Sequence, residues 1–155
     1  MPHEWEWVAV GRMALAAALG YAIGFEREFR GKSAGERTFA LIALGTAAMV
    51  SLGSELGPDP ASRVIQGVAA GVGFIGAGLI FQREQGMVLG LTTAASVWAV
   101  AAVGVLVGAG AYVAALLGTI LVVLVLVLDK LPIVRRVEPR RLRDEHGHPP
   151  AAQED

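Results

Sequence analysis

The chain contains no cysteine, which excludes disulfides and thiolate metal sites. It is also short of charge, with 17% charged residues where soluble domains carry roughly a quarter. The shortfall is uneven. Of its 13 Lys and Arg, four fall in 25–37 and six in 129–155. Histidine is scarce too, with three in all, so no nucleophile–base–acid set can be assembled. No enzymatic activity is expected. The opening Met-Pro-His-Glu-Trp-Glu-Trp carries no basic stretch before its apolar run and does not read as a cleavable signal peptide. Net charge is near neutral, and no nucleic-acid partner is expected.

What is abundant is apolar sequence, 54% of 155 residues. Five segments carry it: about Trp5 to Phe25, Thr38 to Gly53, Val64 to Phe81, Val88 to Val107 and Ala111 to Leu128. As helices they reach roughly 24 to 31 Å at ~1.5 Å per residue, close to the ~30 Å of bilayer hydrocarbon. Residues 100–128 offer only Tyr112 and Thr119 as polar side chains, so no water-facing stripe exists there. The reading is an all-α integral membrane protein of about five transmembrane helices over 1–131. A tail from 132 follows, basic and then disordered. Gly108-Ala109-Gly110 is short enough to make the last two helices an antiparallel hairpin.

Cations set the orientation. Arg27, Arg30, Lys32, Arg37, Arg83 and the six of the tail fall on one side, against Arg63 on the other. The N-terminus is expected outside and the C-terminus in the cytoplasm. His146 and His148 have no third ligand fixed near them, and neither a metal nor a cofactor is expected.

The two inner turns resemble each other. Gly31-x-x-x-Gly35-x-x-Thr38 matches Gly86-x-x-x-Gly90-x-x-Thr93, and Phe25-Glu26-Arg27-Glu28 matches Phe81-Gln82-Arg83-Glu84. They suggest a parallel repeat of two helical hairpins, related by an axis along the membrane normal. Coincidence in a Gly/Ala-rich background is the competing reading.

Two nucleotide-binding patterns fail on context. Gly71-Val-Gly73-Phe-Ile-Gly76 sits inside a span, with no acid near Ser96, and Gly31-Lys32-Ser33 has Glu26 where a P-loop needs glycine. The glycines Gly20, Gly24, Gly67, Gly71, Gly73, Gly76, Gly78, Gly104 and Gly108 are read as helix-packing positions. In the third helix they also raise the possibility of freed carbonyls for a cation. Arg12, alone within a span, either snorkels toward Glu4, Glu55 or Asp59 or is a functional charge. Glu26, Arg27, Glu28, Lys32, Arg37 and Thr38 form either a solvated cap or a sensing or docking surface. Thr92, Thr93 and Ser96 either bond to their own helix or line a polar seam with Gln66.

These residues resemble the MgtC/SapB family of bacterial inner-membrane proteins. The likeness runs through Gly20-x-x-x-Gly24-x-Glu26-Arg27-Glu28, Gly31-Lys32-x-Ala34-Gly35-x-Arg37-Thr38 and Gln66-x-x-x-x-Gly71-x-Gly73-Phe74-x-Gly76-Ala77-Gly78. It continues in Gly90-Leu91-Thr92-Thr93-Ala94-Ala95-x-x-Trp98 and Gly104-x-x-x-Gly108, covering about residues 10–128. The resemblance implies a multi-pass inner-membrane protein of adaptation to low magnesium. It further implies contacts with other membrane proteins such as the ATP synthase. The Gly-rich helix faces themselves suggest a homo-oligomer acting through such contacts, and the alternative is a cation transporter or channel with Glu26, Gln66, Thr92 and Thr93 as pathway groups. Larger members carry a C-terminal regulatory domain, which is not expected here.

The orientation is checked by reporter fusions. A reporter after Asp155 should be active only as a cytoplasmic fusion, and periplasmic protease should leave it intact in whole cells.

Overall fold

The computed structural model describes residues 4–82 and 88–128, with the side chains of 81 and 82 left aside. The tail from 132, His3, Arg83, Glu84, Gly86, His146 and His148 lie outside the described residues, and with them half of the proposed repeat. Among the described residues are five helices: α1 (Glu4–Phe29), α2 (Glu36–Leu56), α3 (Pro58–Gly78), α4 (Leu91–Gly108) and α5 (Tyr112–Val127). A two-residue hairpin, β1 (Phe81–Gln82) and β2 (Val88–Leu89), joins α3 to α4 with Phe81 opposite Leu89. The chain divides into two compact units at Val123/Leu124, so α5 runs from the first into the second.

Three helices, α1, α2 and α4, are long and apolar enough to cross a membrane. Two of the five expected spans fall short of that measure. In α3, Asp59, Arg63, Gln66 and the glycines dilute an otherwise apolar helix of 21 residues. The fifth helix is apolar throughout but has 16 residues. Boundaries moved as well. The third helix starts six residues early, because Pro58 at its first position needs no hydrogen-bond donor there. Residues 79–81 and 88–90, expected at helix ends, form the hairpin and its flanks instead.

Two helix ends follow from glycine. Gly31 (φ 62) and Gly110 (φ 83) take the left-handed conformation that other residues resist. After α1, Gly31 N–H donates to Glu28 O and Lys32 N–H to Arg27 O; after α4, Gly110 donates to Val107 O and Ala111 to Leu106 O. Both are Schellman caps, which satisfy otherwise orphaned carbonyls.

Inside the first unit, α2 and α4 pack against each other, and each also packs against both α1 and α3. The core is small and apolar: Ala16, Ile23, Phe39, Ala43, Ala47, Val50, Val97, Val100 and Val107. Glycines set the separations. A Cβ at Gly20 would stand 2.6 Å from the Phe39 carbonyl oxygen, and one at Gly24 2.5 Å from the Glu36 Cα. On α4, a Cβ at Gly104 would stand 2.7 Å from Ala43 O, and at Gly108 2.8 Å from Val50 Cβ. Backbones meet there as they do between membrane helices.

The α3 glycines differ. Nothing lies within 4 Å of a Cβ at Gly67, Gly71, Gly73 or Gly78, and Gly76 meets Ala94 at an ordinary 3.7 Å. Among the described residues, Gly76 packs against α4 as expected, while Gly67, Gly71, Gly73 and Gly78 meet no neighbour. α3 also stays helical to Gly78, so its carbonyls are not freed by unwinding. The short α4–α5 turn forms at Gly108–Gly110 as expected.

Gly104→Leu and Gly20→Leu should each destabilise the bundle by more than ~3 kcal/mol or prevent folding, because backbone cannot yield. Gly67→Leu should be close to neutral. Thermal unfolding in detergent measures all three.

Candidate functional site

Charge is concentrated where the end of α1 meets the starts of α2 and α4. Arg27 lies in the last turn of α1, where a cation favours the helix dipole. It is only 2% exposed, the largest fully buried side chain among the described residues. Its Nη2 donates to Thr93 Oγ1 at 3.2 Å, and Nη1 stands 3.8 Å from Glu26 Oε2. Glu26 also pairs with Arg30, four residues on along the same helix face. A buried guanidinium costs several kcal/mol unless paired and hydrogen-bonded, so Thr93 and Glu26 stabilise its placement.

Glu28 points a carboxylate across Gly35, the N-cap of α2, where any Cβ would collide with it. That helix start has no side-chain cap of its own, and the negative charges of Glu28 and Glu36 suit its dipole. Glu36 Oε2 is shielded from solvent and accepts no hydrogen bond among the described residues. Lys32, Arg37 and Thr38 are exposed around this core.

The structure thus brings Glu26, Arg27 and Thr93 together, with Glu28 beside them. Thr92 and Gln66 are exposed and take no part. The expected polar seam is not formed: Ser96 Oγ donates to Thr93 O at 2.8 Å, back into its own helix, while Thr93 receives Arg27. Sequence reasoning missed Arg30 as a member of the cluster, although its i,i+4 spacing from Glu26 was visible.

Arg12 belongs to the other end of the bundle, fifteen residues and roughly 22 Å up α1. Its Nη1 donates to the Gly108 carbonyl at 2.8 Å and its Nε to Tyr112 Oη at 3.1 Å. No ion pair joins it to Glu4, Glu55 or Asp59 among the described residues. A cation there complements the exposed carbonyls at the C-terminus of α4. Ser51 Oγ donates to the same Gly108 oxygen at 3.4 Å. Neither Tyr112 nor Ser51 was legible as a partner, since both lie far from Arg12 in sequence.

Among the described residues, no group of three or more His, Cys, Asp or Glu side chains is placed to hold a metal ion. Two apolar grooves open sideways from the bundle. One, about 460 Å³, lies between α2 and α3 along Leu41, Gly45, Gly67 and Gly71. The other, about 290 Å³, lies between α3 and α4 beside Trp98.

Thr93→Val should lower stability by ~1–3 kcal/mol, since it strips an acceptor from a buried cation. Thr119→Val should cost less, because that hydroxyl only bonds back to Ala115 O of its own helix. Detergent unfolding curves of the two variants decide it.

Comparison with known proteins agrees with these features. The MgtC family model matches residues 13–133. SrpB of Synechococcus elongatus is 41% identical over 136 residues, covering 78% of this chain and 75% of SrpB. YhiD of Escherichia coli K12, provisionally named a magnesium transporter, is 44% identical over 125 residues, 74% of this chain and 57% of YhiD. Protein MgtC of Brucella abortus is 42% identical over 142 residues, 90% of this chain and 59% of that protein. The chain thus spans a little over half the length of YhiD and MgtC. No solved structure matches. A family match across most of the chain makes the protein a member of the MgtC family.

Proposed function

We propose that this protein serves bacterial adaptation to low magnesium from the inner membrane. In this reading it acts non-enzymatically, as a homo-oligomer that contacts other membrane proteins such as the ATP synthase. The magnesium theme comes from the names of its relatives and from the family resemblance. The mode of action draws on one observation, the character of the buried polar side chains. Of the six buried polar side chains described, Arg27, Ser51, Thr93, Ser96 and Thr119 are engaged in hydrogen bonds within the bundle, and the sixth is Thr46. No carboxylate lies among them. Magnesium sheds water reluctantly and prefers carboxylate ligands, so such an interior offers it little.

The surfaces favour contact. Phe29, Phe74, Val113 and Leu121 are largely exposed, which suits lipid or a neighbouring helix rather than water. The cluster around Glu26 and Arg27, with Lys32 and Arg37 outside it, supplies charge for docking.

A second reading, a cation transporter or channel, draws on the provisional name of YhiD and on the shielded Glu36 carboxylate. Its candidate groups Glu26, Gln66, Thr92 and Thr93 do not line a common path, which weakens it.

Proteoliposomes discriminate the two. Magnesium and monovalent cation flux should equal that of empty vesicles, and flux above them would replace the first reading with the second. Under magnesium limitation, partner recovery from native membranes should fall in Glu26→Ala and Arg37→Ala while both variants still insert. Full complementation by both would reduce the cluster to a solvated cap.

A further inference from the structure

At the Arg12 end, α1 and α2 part around a cavity of about 270 Å³ walled by Trp5, Val8, Arg12, Ser51, Ser54 and Glu55. Unlike the two sideways grooves, it carries opposite charges on opposite walls. Arg12 comes from α1 and Glu55 from α2, and they form no ion pair within 4 Å. The reason is that Arg12 is already committed: its bonds to Gly108 O and Tyr112 Oη hold the guanidinium in place. Glu55 is exposed and forms no hydrogen bond or ion pair among the described residues.

Helix polarity points the same way. The cavity lies at the first turns of α1 and at the last turn of α2, so the α1 wall is positive and the α2 wall negative before any side chain is counted. A bare cation is opposed by Arg12, a bare anion by Glu55 and the α2 carbonyls. An apolar guest would leave the Glu55 carboxylate and the Ser54 hydroxyl without recompense.

We propose that this cavity binds a small zwitterion of phosphoethanolamine size, with its anionic group against Arg12 and its ammonium against Glu55. The shared chemistry belongs to a free solute and to the headgroup of phosphatidylethanolamine, and the cavity's place at helix ends suits either. This site is separate from the Arg27 cluster and does not depend on the magnesium reading.

The test uses Trp5 fluorescence of full-length protein carrying Trp7→Phe and Trp98→Phe, in phosphatidylglycerol nanodiscs, whose headgroup lacks an ammonium. O-phosphoethanolamine should give a saturable change. Glu55→Gln should raise its Kd about ten-fold, the loss of one hydrogen bond to a charged group, with an unchanged unfolding midpoint. Inorganic phosphate should bind more weakly, and Glu55→Gln should tighten its binding rather than weaken it, because the substitution removes a charge that opposes a bare anion. If the headgroup is the ligand, discs containing phosphatidylethanolamine will show the bound signal without added solute, and Glu55→Gln will abolish it. Arg12 is left intact, because its loss also uncaps α4. No saturable change in either bilayer, or a response that Glu55→Gln leaves untouched, overturns the proposal.

Discussion

The bundle depends on the close approach of α2 to α1 on one side and to α4 on the other. Gly20 and Gly24 admit the backbone of α2 at Phe39 and Glu36, and Gly104 and Gly108 admit it at Ala43 and Val50. Lipid gives apolar helices no reason to seek each other, so dispersion between surfaces in intimate contact must hold them. Glycine supplies that contact by removing the Cβ that would separate two backbones. Everything placed at the ends of these helices inherits its position from this packing.

Arg27 and Arg12 show the inheritance. Arg27 reaches Thr93 because α1 and α4 are each held against α2, which brings the last turn of one beside the first turn of the other. Arg12 reaches Gly108 O at the opposite end for the same reason. Each cation sits where helix carbonyls end, a place where partial charges offset part of the desolvation cost. The two sites are thus electrostatic fasteners at either end of one close-packed unit. Around the Arg27 fastener Glu26 and Arg30 pair with each other, while Glu28, Lys32 and Arg37 face outward.

The buried polar side chains described include no carboxylate, and most are tied up in hydrogen bonds, so they offer a hydrated divalent ion little replacement for its water shell. A surface rich in exposed aromatic and aliphatic side chains, rimmed by charge, offers much to a neighbouring membrane protein. That contrast is the physical basis for favouring contact over conduction.

The helical, lipid-facing character was legible in local sequence: long apolar runs without a polar stripe, charges gathered between them, and glycine where helices stop. The family motif was legible for the same reason, since its glycines and charges stand in fixed order along the chain. What the sequence alone could not decide is which glycines carry packing. Gly67 and Gly71 share the four-residue spacing of Gly20 and Gly24, yet only the latter pair meets a neighbour. Nor could it pair Arg12 with Tyr112, a hundred residues away, or withhold Gln66 from the Thr93 cluster. Spacing along a helix settles which residues share a face. Which face meets another helix is decided only when every helix competes for the same closest contacts, and that is a property of the assembled bundle.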